Sequence, residues 1–175
     1  SADLDGAQLL DTRDAVDFEG AHLVDSINIG LGGQYASWAG TLFDIDKPIV
    51  LITDSAAEEE SAMRLGRIGF DGVAGFLEGG MMALESNPEL IGKVDRITAG
   101  SLNERLQSTA LQLIDVRAPS EWRESHISSS VNLPLSQLSN RLNEIPKGEV
   151  VVHCASGYRS SVATSLIIRE RPQAE

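Results

Sequence analysis

The chain of 175 residues is long enough for one large domain or two small ones, and its 42% apolar content supports packed cores rather than disorder. A net charge of −12 disfavours nucleic acid as a partner. No apolar run approaches the ~20 residues of a membrane span, and no secretory leader is expected at the start. The single cysteine excludes an internal disulfide framework and a dithiol couple, and it fits a reducing, cytoplasmic compartment.

The charge is uneven. Residues 1–92 carry 17 acidic and 4 basic side chains, whereas residues 93–175 carry 9 and 10. That division coincides with an internal repeat. Leu9-Leu10-Asp11-Thr12-Arg13 parallels Leu113-Ile114-Asp115-Val116-Arg117. An acid and an aromatic follow each, Asp17-Phe18 and Glu121-Trp122, then His22-Leu23 and His126-Ile127. Ser26-Ile27-Asn28-Ile29 parallels Ser130-Val131-Asn132-Leu133, and Pro48 to Ile52 parallels Glu149 to His153. Two copies of one α/β domain, 1–92 and 93–175, are therefore expected. Strands alternating with helical stretches predict a small parallel sheet flanked by helices in each.

In the first copy, Ala57 to Arg67 reads as a helix with an acidic first turn, ended by Gly69-Phe70-Asp71-Gly72. Val73 to Leu77 reads as a further strand, and Gly79-Gly80 as a turn into Met81 to Glu85. A linker runs from Ser86, and the second copy begins near Ile97. Ser101 opens a helix carrying Leu102 and Leu106. Leu138, Leu142 and Ile145 are spaced to line one face of a single helix stopped by Pro146.

Val150 to His153 is a β-branched run, the pattern of a buried strand. Cys154 to Arg159 then reads as a tight turn, with Ser160 and Ser161 starting a helix that runs through Ala163 to Arg169. A strand thus delivers Cys154 to a point where loop amides and a helix start converge, a field that favours thiolate over thiol. Arg159 adds a forked, permanent charge. A lone cysteine is more often a small buried hydrophobe; here the glycine, arginine and serine pair fall where an anion cradle needs them.

Cys154-Ala155-Ser156-Gly157-Tyr158-Arg159 resembles the six-residue active loop of rhodanese-type sulfurtransferases, and Leu113 to Ile127 resembles the other half of that family's pattern. The resemblance covers most of both copies. Trp38-Ala39-Gly40 is similar to tandem rhodanese modules fused behind a metallo-β-lactamase-type domain, so a fused or interacting domain of that kind is an implied partner. The resemblance implies that Cys154 attacks the outer sulfur of thiosulfate or a persulfide donor, forming a persulfide that a thiol or cyanide then discharges. It further implies that the loop amides from Ala155 to Ser160 hold the anionic persulfide and that Arg159 binds the donor's anionic group. No metal or organic cofactor is implied, and the three histidines form no metal motif.

Two alternatives stay open. A cysteine-based phosphatase or arsenate reductase shares the thiolate, but its signature places five residues between cysteine and arginine, where this chain has four. A non-enzymatic sulfur-relay or scaffold module is the other. The first copy is expected to be inactive, because Thr53 stands opposite Cys154, Glu58 opposite Arg159, and Thr53 to Glu58 contains no glycine. Asp115, Arg117 and Glu121 are expected to support the loop, with Glu121 within reach of Arg117. His126 is expected to be packed and hydrogen-bonded. His153, one residue before Cys154 on the strand, should point away from it. Two features read as truncation: no full helix precedes Leu9, and nothing after Glu175 matches Val73 to Gly80, so the second copy is expected to be C-terminally incomplete.

Overall fold

The structure, a computed structural model, describes residues 6–108 and 111–171. The expected truncations concern the two ends, where residues 1–5 and 172–175 lie outside the described residues. The chain divides into two compact units, Ser1–Val94 and Asp95–Glu175.

In the first unit, β1 (Gln8–Asp11), β3 (Ile27–Asn28), β4 (Ile49–Ile52) and β5 (Val73–Phe76) form one parallel sheet in the order β3-β1-β4-β5. The helices are α1 (Ala15–Gly20), α2 (Tyr35–Leu42) and α3 (Glu58–Gly66). Leu10, Ile27, Tyr35, Ile49, Ile52 and Leu65 are fully buried between sheet and helices. Each such aliphatic side chain stabilises the fold by about 1.5–3 kcal/mol. β2 (His22–Leu23) pairs antiparallel with β6 (Ile91–Gly92). The stretch read as linker is therefore a strand of the first unit as far as Gly92, and the Val94 amide beyond it donates to the Glu19 carbonyl at 2.9 Å. A Cβ at position 92 would collide with the His22 ring, so any other residue there has to displace that ring.

The second unit repeats the plan. β7 (Gln112–Asp115), β8 (Ser130–Asn132) and β9 (Val150–His153) form a parallel sheet in the order β8-β7-β9. Around it lie α4 (Ala99–Ser108), α5 (Pro119–Glu124), α6 (Leu135–Leu138) and α7 (Tyr158–Glu170). Leu113, Ile114, Leu133, Leu138, Val162 and Ala163 make the core. All four residues of β9 are half-buried rather than buried. Among the described residues β9 pairs with β7 alone, whereas β4 has a partner on each side.

The single helix expected over Leu138 to Ile145 is broken. α6 ends at Leu138, and a 3₁₀ turn follows at Leu142–Glu144. Amides of Asn140, Arg141 and Glu144 each bond three residues back, the tighter spacing that Ser139 and Asn140, weak helix formers, permit. Leu138 and Ile145 are buried all the same. Among the described residues no helix is long and apolar enough to cross a membrane.

Candidate active site

The register of β7 and β9 sets the site. Asp115 pairs with His153 at the carboxyl ends of the two strands. Asp115-Val116-Arg117 therefore leaves the sheet beside Cys154, at the edge where parallel α/β sheets place ligands.

Cys154 is half-buried. Gly157, with φ of 97°, turns the chain back and caps α7, whose first bond runs from the Ser161 amide to the Gly157 carbonyl at 3.0 Å. The helix therefore starts at Tyr158, and Arg159 lies in its first turn. The turn aims the Gly157 amide at Sγ, 3.2 Å away. The Ser160 hydroxyl lies 3.5 Å from Sγ and 2.9 Å from the Gly157 carbonyl. With a thiol present, S–H donates to Ser160 and Ser160 donates to Gly157. With a thiolate, the hydroxyl can turn its proton onto sulfur. Burial pushes the Cys154 pKa up, but the Ser160 hydroxyl and the amides of Ser160, Ser156 and Gly157 outweigh it, and the net shift is downward.

Arg117 is clamped on Asp115. Its Nε lies 3.0 Å from both carboxylate oxygens and Nη2 lies 2.6 Å from Oδ2. The same guanidinium donates to the Ser125 carbonyl at 2.8 Å. Asn132 bonds the carbonyls of Asp115 and Arg117, which secures the backbone of this turn.

Glu121 takes a different partner from the one expected. It holds Arg159, with Nη1 at 2.6 Å from Oε2 and Nη2 at 2.9 Å from Oε1. Its Oε2 also accepts the Ala118 amide at 3.0 Å, which caps α5. Arg159 first and Ala118 second pull the Glu121 pKa down to about 2. The carboxylate that ties the loop to the scaffold thus reaches across 38 residues to the loop's own arginine.

A solvent-open recess of about 260 Å³ adjoins the thiol, lined by Arg117, Ser125, His126, Ile127, His153 and Cys154. His153 therefore faces the same recess as Cys154. β9 ends at His153 and the chain turns, so strand alternation does not extend to the next residue. Its Nε2 is buried without a hydrogen-bond partner, 3.7 Å from Asp115 Oδ2. Burial lowers the His153 pKa against the pull of Asp115. His126 is hydrogen-bonded and stacked, its ring 3.7 Å from that of Trp122 and Nδ1 2.8 Å from the Trp122 carbonyl, while the residue stays exposed. Sequence reasoning passed over Arg96, whose Nη2 lies 3.2 Å from where a Cβ on Gly157 would sit; no spacing or motif marks it.

A parallel sheet that ends in a cysteine cradled by loop amides is the layout of a thiolate-bearing α/β domain. The chain belongs to the family of rhodanese-like domains, whose model matches residues 1–87 and 98–173. It is 35% identical over 79 residues to the Sulfurtransferase of Allochromatium vinosum, covering 44% of this chain and 74% of that protein. It is 30% identical over 81 residues to the Putative sulfur carrier protein YrkF of Bacillus subtilis, covering 45% of this chain and 44% of that protein. Among solved structures it is similar to a thiosulfate sulfurtransferase from Pseudomonas aeruginosa, at 20% identity and a TM-score of 0.44 over 93% of this chain and 35% of that one.

Proposed function

We propose that the second unit is a sulfurtransferase that carries sulfane sulfur on Cys154. The observation that carries this reading is the cradle on Sγ: the Gly157 amide at 3.2 Å and the Ser160 hydroxyl at 3.5 Å, with the thiol's pKa displaced downward. The names of the Allochromatium and Bacillus relatives agree with it. The thiolate attacks the outer sulfur of a sulfane donor such as thiosulfate or a persulfide. The donor's S–S bond breaks, its electron pair leaves with sulfite or thiolate, and a new S–S bond forms on Cys154. The cradle then holds the anionic persulfide until a thiol or cyanide takes the outer sulfur, so that covalent catalysis divides one transfer into two. The first unit has no thiol at the matching place and serves as a non-catalytic companion.

Intact-mass measurement after donor treatment tests the reading. A gain of one sulfur, about 32 Da, on Cys154 and its discharge by a thiol are expected. No gain with any sulfane donor, or turnover of an aryl phosphate instead, overturns it. A chain that loads but does not turn over is a carrier rather than an enzyme.

A further inference from the structure

Resting on the sulfur-transfer reading, we propose that His126 is a catalytic residue of the discharge step: its Nε2 takes the proton of a neutral acceptor thiol as that thiol attacks the outer sulfur on Cys154, and returns it to the departing product.

The two units carry the same imidazole in opposite circumstances. Each histidine stacks on an aromatic ring and turns Nδ1 to the carbonyl of that same aromatic residue, His22 to Phe18 at 2.9 Å and His126 to Trp122 at 2.8 Å. A carbonyl only accepts, so Nδ1 carries the hydrogen and Nε2 the lone pair. In the first unit that lone pair is walled in. His22 is 3% exposed, and the Nε2 edge of its ring lies against Gly92 of β6, where a Cβ would collide with it. In the second unit His126 is exposed, its Nε2 has no partner among the described residues, and the residue lines the recess beside Cys154. Tautomer and ring plane are thus preset for a base in both units, and the base is open only in the unit that has a thiol.

The other groups of the recess do not compete for this role. Arg117 is clamped on Asp115 at 2.6 Å and keeps its protons. His153 holds its Nε2 buried, 3.7 Å from Asp115 Oδ2 and out of a substrate's reach. Ser125 and Ile127 bring no titratable side chain, and Ile127, 38% exposed, offers an apolar surface to the acceptor's carbon atoms. A recess of about 260 Å³ has room for a small thiol beside the sulfur on Cys154.

Atoms and charge balance in the step. A bond forms from the acceptor sulfur to the outer sulfur of the Cys154 persulfide. The S–S bond to Cys154 breaks, and its electron pair stays on Cys154 as the thiolate that the cradle holds. The acceptor's S–H proton passes to His126 Nε2 and from there to the transferred sulfur, so the product leaves as R–S–SH. No oxidant or reductant is consumed. Sulfite as the dianion needs no such relay, because it attacks the same sulfur with no proton to lose and departs as thiosulfate.

The test loads Cys154 from a sulfane donor, removes the donor, and follows discharge by intact mass at mildly alkaline pH, with mercaptoethanol and with sulfite as acceptors. His126→Asn keeps a donor near the Nδ1 position and removes the base. Thiol discharge should slow at least about tenfold, while sulfite discharge changes less than about twofold. His126→Ala is the second variant: free imidazole, placed in the space vacated beside Trp122, should raise its thiol discharge and leave its sulfite discharge alone. A thiol rate unmoved by either substitution overturns the proposal. So does equal slowing of both acceptors, because a merely structural His126 acts on the persulfide itself and hence on both. Persulfide that forms and discharges without regard to His126 leaves the sulfur-transfer reading standing. Absence of persulfide in the unsubstituted chain removes that reading and the proposal together.

Discussion

The loops Thr53 to Glu58 and Cys154 to Arg159 leave equivalent strands, β4 and β9, and enter equivalent helices, α3 and α7. Both turn through a residue of positive φ at the same place, Ala56 at 68° and Gly157 at 97°. Beneath them the scaffolds agree closely. Arg13 clamps Asp11 with Nη2 at 2.6 Å and reaches the Ala21 carbonyl at 2.8 Å, just as Arg117 clamps Asp115 at 2.6 Å and reaches Ser125 at 2.8 Å. Asn28 and Asn132 each bond the two flanking carbonyls. The aromatic–histidine stack recurs as Phe18–His22 and Trp122–His126. The Asp–Arg clamp therefore serves the fold, since it persists where no thiol stands. A missing glycine does not prevent the turn either: an alanine there carries only about 1–2 kcal/mol of left-handed strain. Within the loops the differences are chemical: Thr53 for Cys154, Asp54 for Ala155, Glu58 for Arg159, Glu59 for Ser160.

The comparison breaks most sharply at the sulfur. Cys154→Ser should reduce sulfur loading and turnover to background, because a hydroxyl is a far weaker nucleophile at neutral pH. Intact mass and thiocyanate formation read both effects; turnover retained in the folded variant would make the two loops equal. Next in size is the converse. Thr53→Cys should load sulfur at least about a hundredfold more slowly than Cys154, since Glu58 and Glu59 oppose an anion. Because the Ala56 turn already exists, adding Glu58→Arg and Glu59→Ser should recover much of that deficit. Equal loading by Thr53→Cys alone would show that charge does not separate the loops.

A smaller effect belongs to Ser160. Removing its hydroxyl with Ser160→Ala should raise the pH midpoint of Cys154 alkylation, because one hydrogen bond to the charged form is lost. The sign follows from an acid whose pKa the cradle lowers: with one donor gone, the thiolate needs a higher pH. An unmoved midpoint would assign the shift to the amides alone. The smallest pair concerns the turn. Gly157→Ala should destabilise by about 1–2 kcal/mol, with Arg96 at 3.2 Å adding crowding. Ala56→Gly should gain less than about 1 kcal/mol, because glycine's greater unfolded-state entropy offsets the relief of strain. Denaturant unfolding of both proteins measures the two.

Much of the doubled fold was legible in the residue order. Leu9 to Arg13 and Leu113 to Arg117 each join a buried strand to a clamp two residues long, and local spacing of that kind survives any packing. The cysteine's place at the end of a valine run, with glycine three residues on, also dictates a strand, a turn and a helix start. The exchange of Glu121 from Arg117 to Arg159 was not legible, because it depends on how α5 lies against the start of α7. His153 turned toward the recess because β9 stops there, and a strand's end is decided by its partners. The half-burial of β9 and the pairing of Ile91–Gly92 with β2 follow from which strands lie alongside, a matter of sheet assembly. Local backbone preference and hydrophobic period are properties of neighbouring residues, so the sequence alone determined the repeat, the loop and the thiol. Charge partners and strand neighbours are distant in sequence, so only the tertiary structure decided which carboxylate meets which guanidinium beside Cys154.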